Sequence, residues 1–198
     1  MFTGIIEGLG KIISVSSSGR NRSFTLSSPF LHELKIDQSL SHNGICLTVE
    51  DIQKESYQVT AVAETLAKSN AGNWQKDQLI NLERAMIMNA RMDGHIVQGH
   101  VDAIATLNKI TDMKGSWQFD FHFSNLFAAL MIEKGSVCLN GVSLTAFNVH
   151  TNSFSVAIIP YTYQHTNFSH LSPGDTVNIE FDMIGKYVNR FMAVQANQ

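Results

Sequence analysis

The sequence predicts an all-β protein: two copies of one small closed β-barrel in tandem, followed by an amphipathic C-terminal helix. Three observations lead there. Short signatures recur at a single spacing. The stretches between them alternate polar and apolar residues, as half-buried strands do. Turn dipeptides punctuate those stretches at intervals too short for long helices.

The repeat fixes the domain plan. Asn43-Gly44-Ile45-Cys46-Leu47-Thr48 returns 97 residues later as Asn140-Gly141-Val142-Ser143-Leu144-Thr145. Glu64-Thr65 through Asn70 returns as Tyr161-Thr162 through Asn167, and Asn81-Leu82-Glu83 as Asn178-Ile179-Glu180, both at the same offset. Phe24 and Phe121, Phe30 and Phe127, Ser39 and Ser136, and Val59 and Val156 hold the register in between. The openings correspond with a slip of two residues, Gly4-Ile5-Ile6-Glu7 against Gly99-His100-Val101-Asp102. A solenoid needs shorter units repeated at least three times, so two long units are duplicated domains. The expected division is residues 1–92, residues 93–182 and a tail of residues 183–198.

Within each copy, residues 23–26 and 57–62, and then 117–123 and 153–159, carry strand alternation. Asn43-Gly44, Asn140-Gly141, Lys114-Gly115-Ser116 and Pro173-Gly174-Asp175 mark turns. Residues 30–34 and 126–132 have helical spacing and predict one short helix per copy. In the tail, Ile184, Tyr187, Val188, Phe191 and Val194 fall on one helical face, with no equivalent between the copies. That stripe either packs on its own barrel or joins subunits.

Composition narrows the function classes. Hydrophobic residues make up 44% and charged residues 16% of the chain, enough for a buried core and too apolar for disorder. At a net charge of −3 with scattered Lys and Arg, no basic stripe suggests nucleic acid and no polybasic face suggests a membrane surface. No apolar run approaches a membrane span, and no basic segment precedes the first apolar stretch as a signal peptide would require. Two cysteines, Cys46 and Cys138, cannot build a disulfide framework, and a cytoplasmic location is expected.

Chemistry is expected where the copies share a kit and differ in detail. Thr48 and Thr145, with Thr65 and Thr162, can each donate and accept hydrogen bonds to a polyol or a heterocycle edge. Cys46 stands where the second copy has Ser143, and a thiol is the stronger nucleophile. Glu64 faces Tyr161 across the repeat, and Asp182 faces Ala85, so each acid occurs in one copy only. His95 and His100, five residues apart at the junction of the copies, suit ligand contact or proton transfer better than metal binding. Lys134, like Cys138, has an ordinary structural reading, as a solvated turn residue.

The opening Met1-Phe2-Thr3-Gly4-Ile5-Ile6-Glu7, the segment Gly94-His95-Ile96-Val97-Gln98-Gly99-His100-Val101-Asp102 and the paired Asn-Gly motifs together resemble the α-chain type of riboflavin synthase. The resemblance spans essentially the whole chain. It implies two six-stranded Greek-key barrels, a C-terminal helix that holds a homotrimer together, and no cofactor. It implies that two molecules of 6,7-dimethyl-8-ribityllumazine exchange a four-carbon unit to give riboflavin and 5-amino-6-ribitylamino-uracil, between the first barrel of one subunit and the second of its neighbour. Association with lumazine synthase is left open. By matching motif positions, Phe2, Thr3, Gly4, Ile5, Ser39, Thr48, Glu64 and Thr65 line the first-barrel pocket with Cys46 and His100. Ser143, Thr145, Ile159 and Thr162 hold the partner molecule in the second barrel, with Lys134 and Asp182 at its polar edge. The foremost catalytic candidates are Cys46, Ser143, Asp182 and His100. The main rival is a non-catalytic, antenna-type lumazine-binding protein. A flavin reductase module would need a nicotinamide domain for which there is neither length nor a Gly-x-Gly-x-x-Gly segment.

Overall fold

The computed structural model describes residues 1–196. The second half is a closed six-stranded antiparallel barrel built from β8 (Ala103–Asp112), β9 (Trp117–His122), β10 (Ser136–Leu139), β11 (Val142–Phe147), β12 (Ser153–Ile158) and β13 (Thr176–Phe181). Its ring order is β10-β11-β12-β9-β8-β13, with β13 pairing back onto β10, a Greek key.

The first half repeats that order with one difference. Its strands are β1 (Gly8–Ser18), β2 (Asn21–Leu26), β3 (Ser39–His42), β4 (Ile45–Thr48), β5 (Asp51–Ile52), β6 (Tyr57–Ala61) and β7 (Leu79–Arg84). They run β4-β3-β7-β1-β2-β6-β5. The end strands β4 and β5 are consecutive in the chain. The counterpart of β11 is therefore one strand interrupted at Val49 and Glu50, and the chain itself closes the ring. The Glu50 N–H donates to the Gln58 carbonyl (2.9 Å), so the pairing with β6 begins inside the break.

Strand alternation places the cores. In β4, Ile45 and Leu47 point into the barrel while Cys46 and Thr48 face out. Each barrel fills with its own cluster, around Phe24, Tyr57 and Leu82 in the first and Phe119, Phe121, Phe154 and Phe181 in the second.

The helices differ from expectation. Residues 30–34 and 126–132 form only 3-10 turns, Leu31–Glu33 and Asn125–Leu130, and Leu126 is almost fully exposed. The α-helix of each copy follows its fifth ring strand instead: α1 (Ala63–Lys68) and α2 (Pro160–His165). Six residues are too few for periodicity to announce them. α3 (Met183–Gln195) starts at Asp182, whose carboxylate accepts the Ile184 N–H (3.0 Å), and is tied to the second barrel by Lys186–Asp102 (2.6 Å). Ile184, Tyr187, Val188 and Phe191 are all more than half exposed, so the stripe does not cover its own barrel.

The barrels meet along a pseudo-two-fold seam made of asparagines. The Asn81 Nδ2 donates to the Asn140 carbonyl and the Asn178 Nδ2 to the Asn43 carbonyl, both at 2.9 Å. The Asn167 N–H donates to Asn81 Oδ1 and the Asn70 N–H to Asn178 Oδ1, both at 2.7 Å. The turns Asn43-Gly44 and Asn140-Gly141 have positive φ at both residues, as two-residue hairpin turns require. They also abut across the axis: a Cβ on Gly44 would lie 2.8 Å from the Gly141 nitrogen. The Asn-Gly dipeptides, expected as turns, thus also build the seam and deliver Cys46 and Ser143 to its flank.

Candidate active site

The lead-in of each barrel crosses the seam to the other. Phe2 and Val97 exchange backbone hydrogen bonds (2.7 and 3.0 Å) where the two lead-ins pass. Beyond that crossing, the Cys46 N–H donates to the Gly99 carbonyl and the Ser143 N–H to the Gly4 carbonyl, each at 2.8 Å. Two buried carboxylates hold the crossing loops. Glu83 accepts the Thr3 N–H (2.6 Å), the Thr3 hydroxyl (2.7 Å) and the Gly4 N–H (3.0 Å). Glu180 accepts the N–H groups of Gln98 (2.7 Å), Gly99 (2.9 Å) and His100 (2.9 Å). Burial pushes both carboxyls above their ordinary pKa, against the pull of the backbone donors.

On the first barrel this arrangement encloses a cavity of about 380 Å³. Its floor is Ile45 and Cys46 of β4, and its roof is Gly99, His100 and Val101 from the crossing loop. Helix α1 and the residue after it close the side with Glu64, Thr65, Lys68 and Ser69. The size suits a small heterocycle, since ligand cavities span roughly 300–1,000 Å³. A thiol, an imidazole, a carboxylate and hydroxyls converge here, a set able to add to a ring carbon and to move a proton.

The second site is built differently. His95 Nδ1 lies 2.7 Å from the Ser143 hydroxyl, and Gly94 packs against the same serine. Burial lowers the His95 pKa, with the Asp182 carboxylate pulling the other way. His95 is therefore a neutral imidazole on a serine hydroxyl, able to take or give a proton. Ser143 and Thr145 face the same way from β11, and Ile159 and Thr162 stand at the start of α2. Tyr161 stacks on His165 (4.1 Å between centroids) where the first site has Glu64 and Lys68.

The lumazine binding domain family matches twice, over residues 3–85 and 98–182. The chain is 38% identical to the riboflavin synthase of Bacillus subtilis (strain 168) over 193 residues, covering 97% of this chain and 90% of that one. The chain belongs to the riboflavin synthase family. The riboflavin synthase of Saccharomyces cerevisiae is 33% identical over 96% of this chain and 85% of its own. Among solved structures, LumP complexed with riboflavin superposes with a TM-score of 0.86, covering 91% of this chain and 99% of LumP, at 19% identity. That likeness concerns the fold.

Against the pocket expected for a riboflavin synthase family member, the structure brings Cys46, Glu64, Thr65 and His100 together. It does not bring all the others to them. Phe2 is fully buried at the crossing, packed with Val97 and Cys138. Gly4 backs Ser143 of the second barrel rather than Cys46, because Glu83 draws the N-terminal loop across the seam. Thr3, Ile5 and Ser39 line a separate cavity of about 760 Å³ with Arg84 and the inter-barrel linker. Thr48 is exposed and sits opposite Ser39 in the β3–β4 ladder. In the second barrel, Lys134 occupies a turn at φ 62° with its ammonium 5.3 Å from the Phe147 ring centroid.

Lys68, Ser69 and Gly99 of the first site, and the clamps Glu83 and Glu180, escaped sequence reasoning. The clamps had a signal: both close the repeated Asn-x-Glu signature. Among the described residues, no cluster of three or more His, Cys, Asp or Glu could hold a metal. No described helix is long and apolar enough to cross a membrane.

Proposed function

We propose that the chain is a riboflavin synthase that catalyses the dismutation of 6,7-dimethyl-8-ribityllumazine, giving riboflavin and 5-amino-6-ribitylamino-uracil without a cofactor. The observation that carries this reading is the pair of pseudo-two-fold-related sites, alike in frame and unlike in chemistry, in a member of this family. Two identical reactants must be held in opposed orientation and treated differently. Related sites supply the opposition, and fixing both reactants in attack geometry lowers the barrier by roughly 7–11 kcal/mol.

The chemistry needs a proton taken from the 7-methyl group of one lumazine and a nucleophile added to the other. In this reading Cys46 is the nucleophilic or polar group of the first-barrel site and His100 its proton carrier, with Glu64 and Thr65 binding. Ser143 and Asp182 polarise the partner molecule, and Thr145, Ile159, Thr162 and Lys134 hold it. Residues 1–92 and 93–182 are the two lumazine-binding barrels. The tail of residues 183–198 is the oligomerisation segment, and the exposed apolar stripe of its helix α3 supports a homotrimer in which the first barrel of one subunit faces the second of its neighbour. Two free cysteines and the absence of a described membrane-spanning helix fit a cytoplasmic enzyme.

The test is direct. Incubation with the dimethyl lumazine should produce riboflavin absorbance and one equivalent of the uracil per riboflavin. Stoichiometric binding with no turnover would assign the chain to the antenna-type binding proteins instead.

A further inference from the structure

We propose that Glu180 and Glu83 are positioning residues, each buried carboxylate fixing the loop that completes the ligand site on the opposite barrel. The proposal deepens the dismutase reading and rests on it for the meaning of the sites, but its geometry stands alone. Glu180 belongs to β13 of the second barrel, yet the loop it grips puts His100 over Cys46 of the first. Glu83 belongs to β7 of the first barrel, yet it grips the loop whose Gly4 carbonyl receives the Ser143 N–H.

The choice of residue follows from the donors. Three N–H groups converge on Glu180, from Gln98, Gly99 and His100, and no other acceptor is shown for them. Only an anion with two acceptor oxygens satisfies such a convergent set in a buried place. A glutamine at the same position would turn one of its oxygens into an NH₂ group that faces N–H donors, and the loop would have to move. Because Gly99 also receives the Cys46 N–H, a shift of the loop displaces the imidazole and the thiol's own strand together. A displacement of about 1 Å at reacting groups costs on the order of 100-fold in rate. The Gly99 backbone cannot relax towards Cys46, since even a Cβ there would lie 2.6 Å from the Cys46 Cβ.

Two variants of the full chain, Glu180→Gln and Glu83→Gln, separate this role from general stability. Amide hydrogen exchange reads each loop without any ligand. Glu180→Gln should speed exchange at Gly99 and His100 at least 100-fold and leave Thr3 and Gly4 within threefold, and Glu83→Gln should do the reverse. Protection of Cys46 from iodoacetamide by riboflavin reads the first-barrel site: Glu180→Gln should weaken it about 10- to 100-fold and Glu83→Gln less than threefold. Loss of lumazine turnover in both variants completes the expected pattern. Equal effects of both variants on both loops, or unchanged exchange in either, overturn the proposal. If Glu180→Gln does not fold, Glu180→Asp, which withdraws the carboxylate by one methylene, is read in the same way. Fast exchange of the Gly99 and His100 amides in the unaltered protein would also overturn it. A protein whose loops respond as stated but which makes no riboflavin refutes the dismutase reading and leaves the clamps standing.

Discussion

Acidification should loosen the first barrel through a buried pair that the second barrel lacks, and that pair sets the size of the effect. His42 is completely buried, with Nδ1 3.0 Å from the Leu40 carbonyl and Nε2 2.8 Å from the Tyr57 hydroxyl. A carbonyl only accepts, so Nδ1 carries the proton and Nε2 accepts from the tyrosine. A second proton would put a charge in the apolar core, and burial lowers the His42 pKa from 6.5 to about 4. Between those values the unfolded chain binds a proton that the folded chain refuses, so stability falls as pH falls. The contribution is fully present above pH 6.5 and is lost progressively down to about pH 4. At about 1.4 kcal/mol per pH unit, the loss amounts to roughly 3 kcal/mol.

The second barrel supplies the control, because it has Leu139 and Phe154 where the first has His42 and Tyr57. The double variant His42→Leu/Tyr57→Phe copies that core and removes both partners of the buried side-chain pair together. Each barrel carries one tryptophan, Trp74 and Trp117, so a Trp117→Phe background lets Trp74 fluorescence follow the first barrel in urea. Wild type should lose about 3 kcal/mol more than the double variant between pH 7 and pH 4. Parallel pH profiles for the two proteins would refute the reasoning.

Three further outcomes are expected. Cys46→Ser gives the first site the hydroxyl of the second. It should bind the lumazine within threefold of wild type but form riboflavin at least tenfold more slowly, and unchanged turnover would reduce the thiol to packing. Removal of residues 183–198 takes away the exposed stripe of α3, so sedimentation should show monomers with little activity, and an active monomer would rule out a site shared between subunits. Asn81→Ala deletes the acceptor for the Asn167 N–H and the donor to the Asn140 carbonyl at the seam, leaving buried groups unsatisfied. At about 1–3 kcal/mol for each such group, urea denaturation should show a loss of several kcal/mol.

The duplication, the strands and four residues of the first-barrel cavity were legible in the sequence. Residues 57–62 alternate, Cys46 and His100 lie in distinctive motifs, and Thr65 recurs in register as Thr162. Contacts that depend on the crossing were not. The family resemblance assigns Phe2, Thr3, Gly4 and Ile5 to the first-barrel pocket, but Glu83 and the Phe2–Val97 bridge carry the segment over to Ser143. Likewise, α1 and α2 are too short for helical periodicity, so nothing in the sequence singles out Lys68 and Ser69, which wall the cavity. Asn81 and Asn178 stand out only as a repeated signature, and their pairing across the seam shows why an amide stands inside each barrel wall.

Superposing the copies divides the positions around the sites into two groups. The positions that set the frame carry the same residue in both: Asn43 and Asn140, Asn81 and Asn178, Glu83 and Glu180, Gly99 and Gly4. Thr65 and Thr162 are also alike, but most other positions facing the ligand space differ: Cys46 against Ser143, Glu64 against Tyr161, Lys68 against His165, His100 against Ile5. A protein that only stored two ligands would gain nothing from giving its two sites different side chains at matching positions. A dismutation requires that difference, since two copies of one molecule must be given opposite roles by their surroundings alone. The shared frame keeps the two surroundings in fixed relation, so a change at Glu83 or Glu180 disturbs one site through the other barrel's strand, whereas a change at Cys46 or Ser143 alters chemistry and leaves the frame intact.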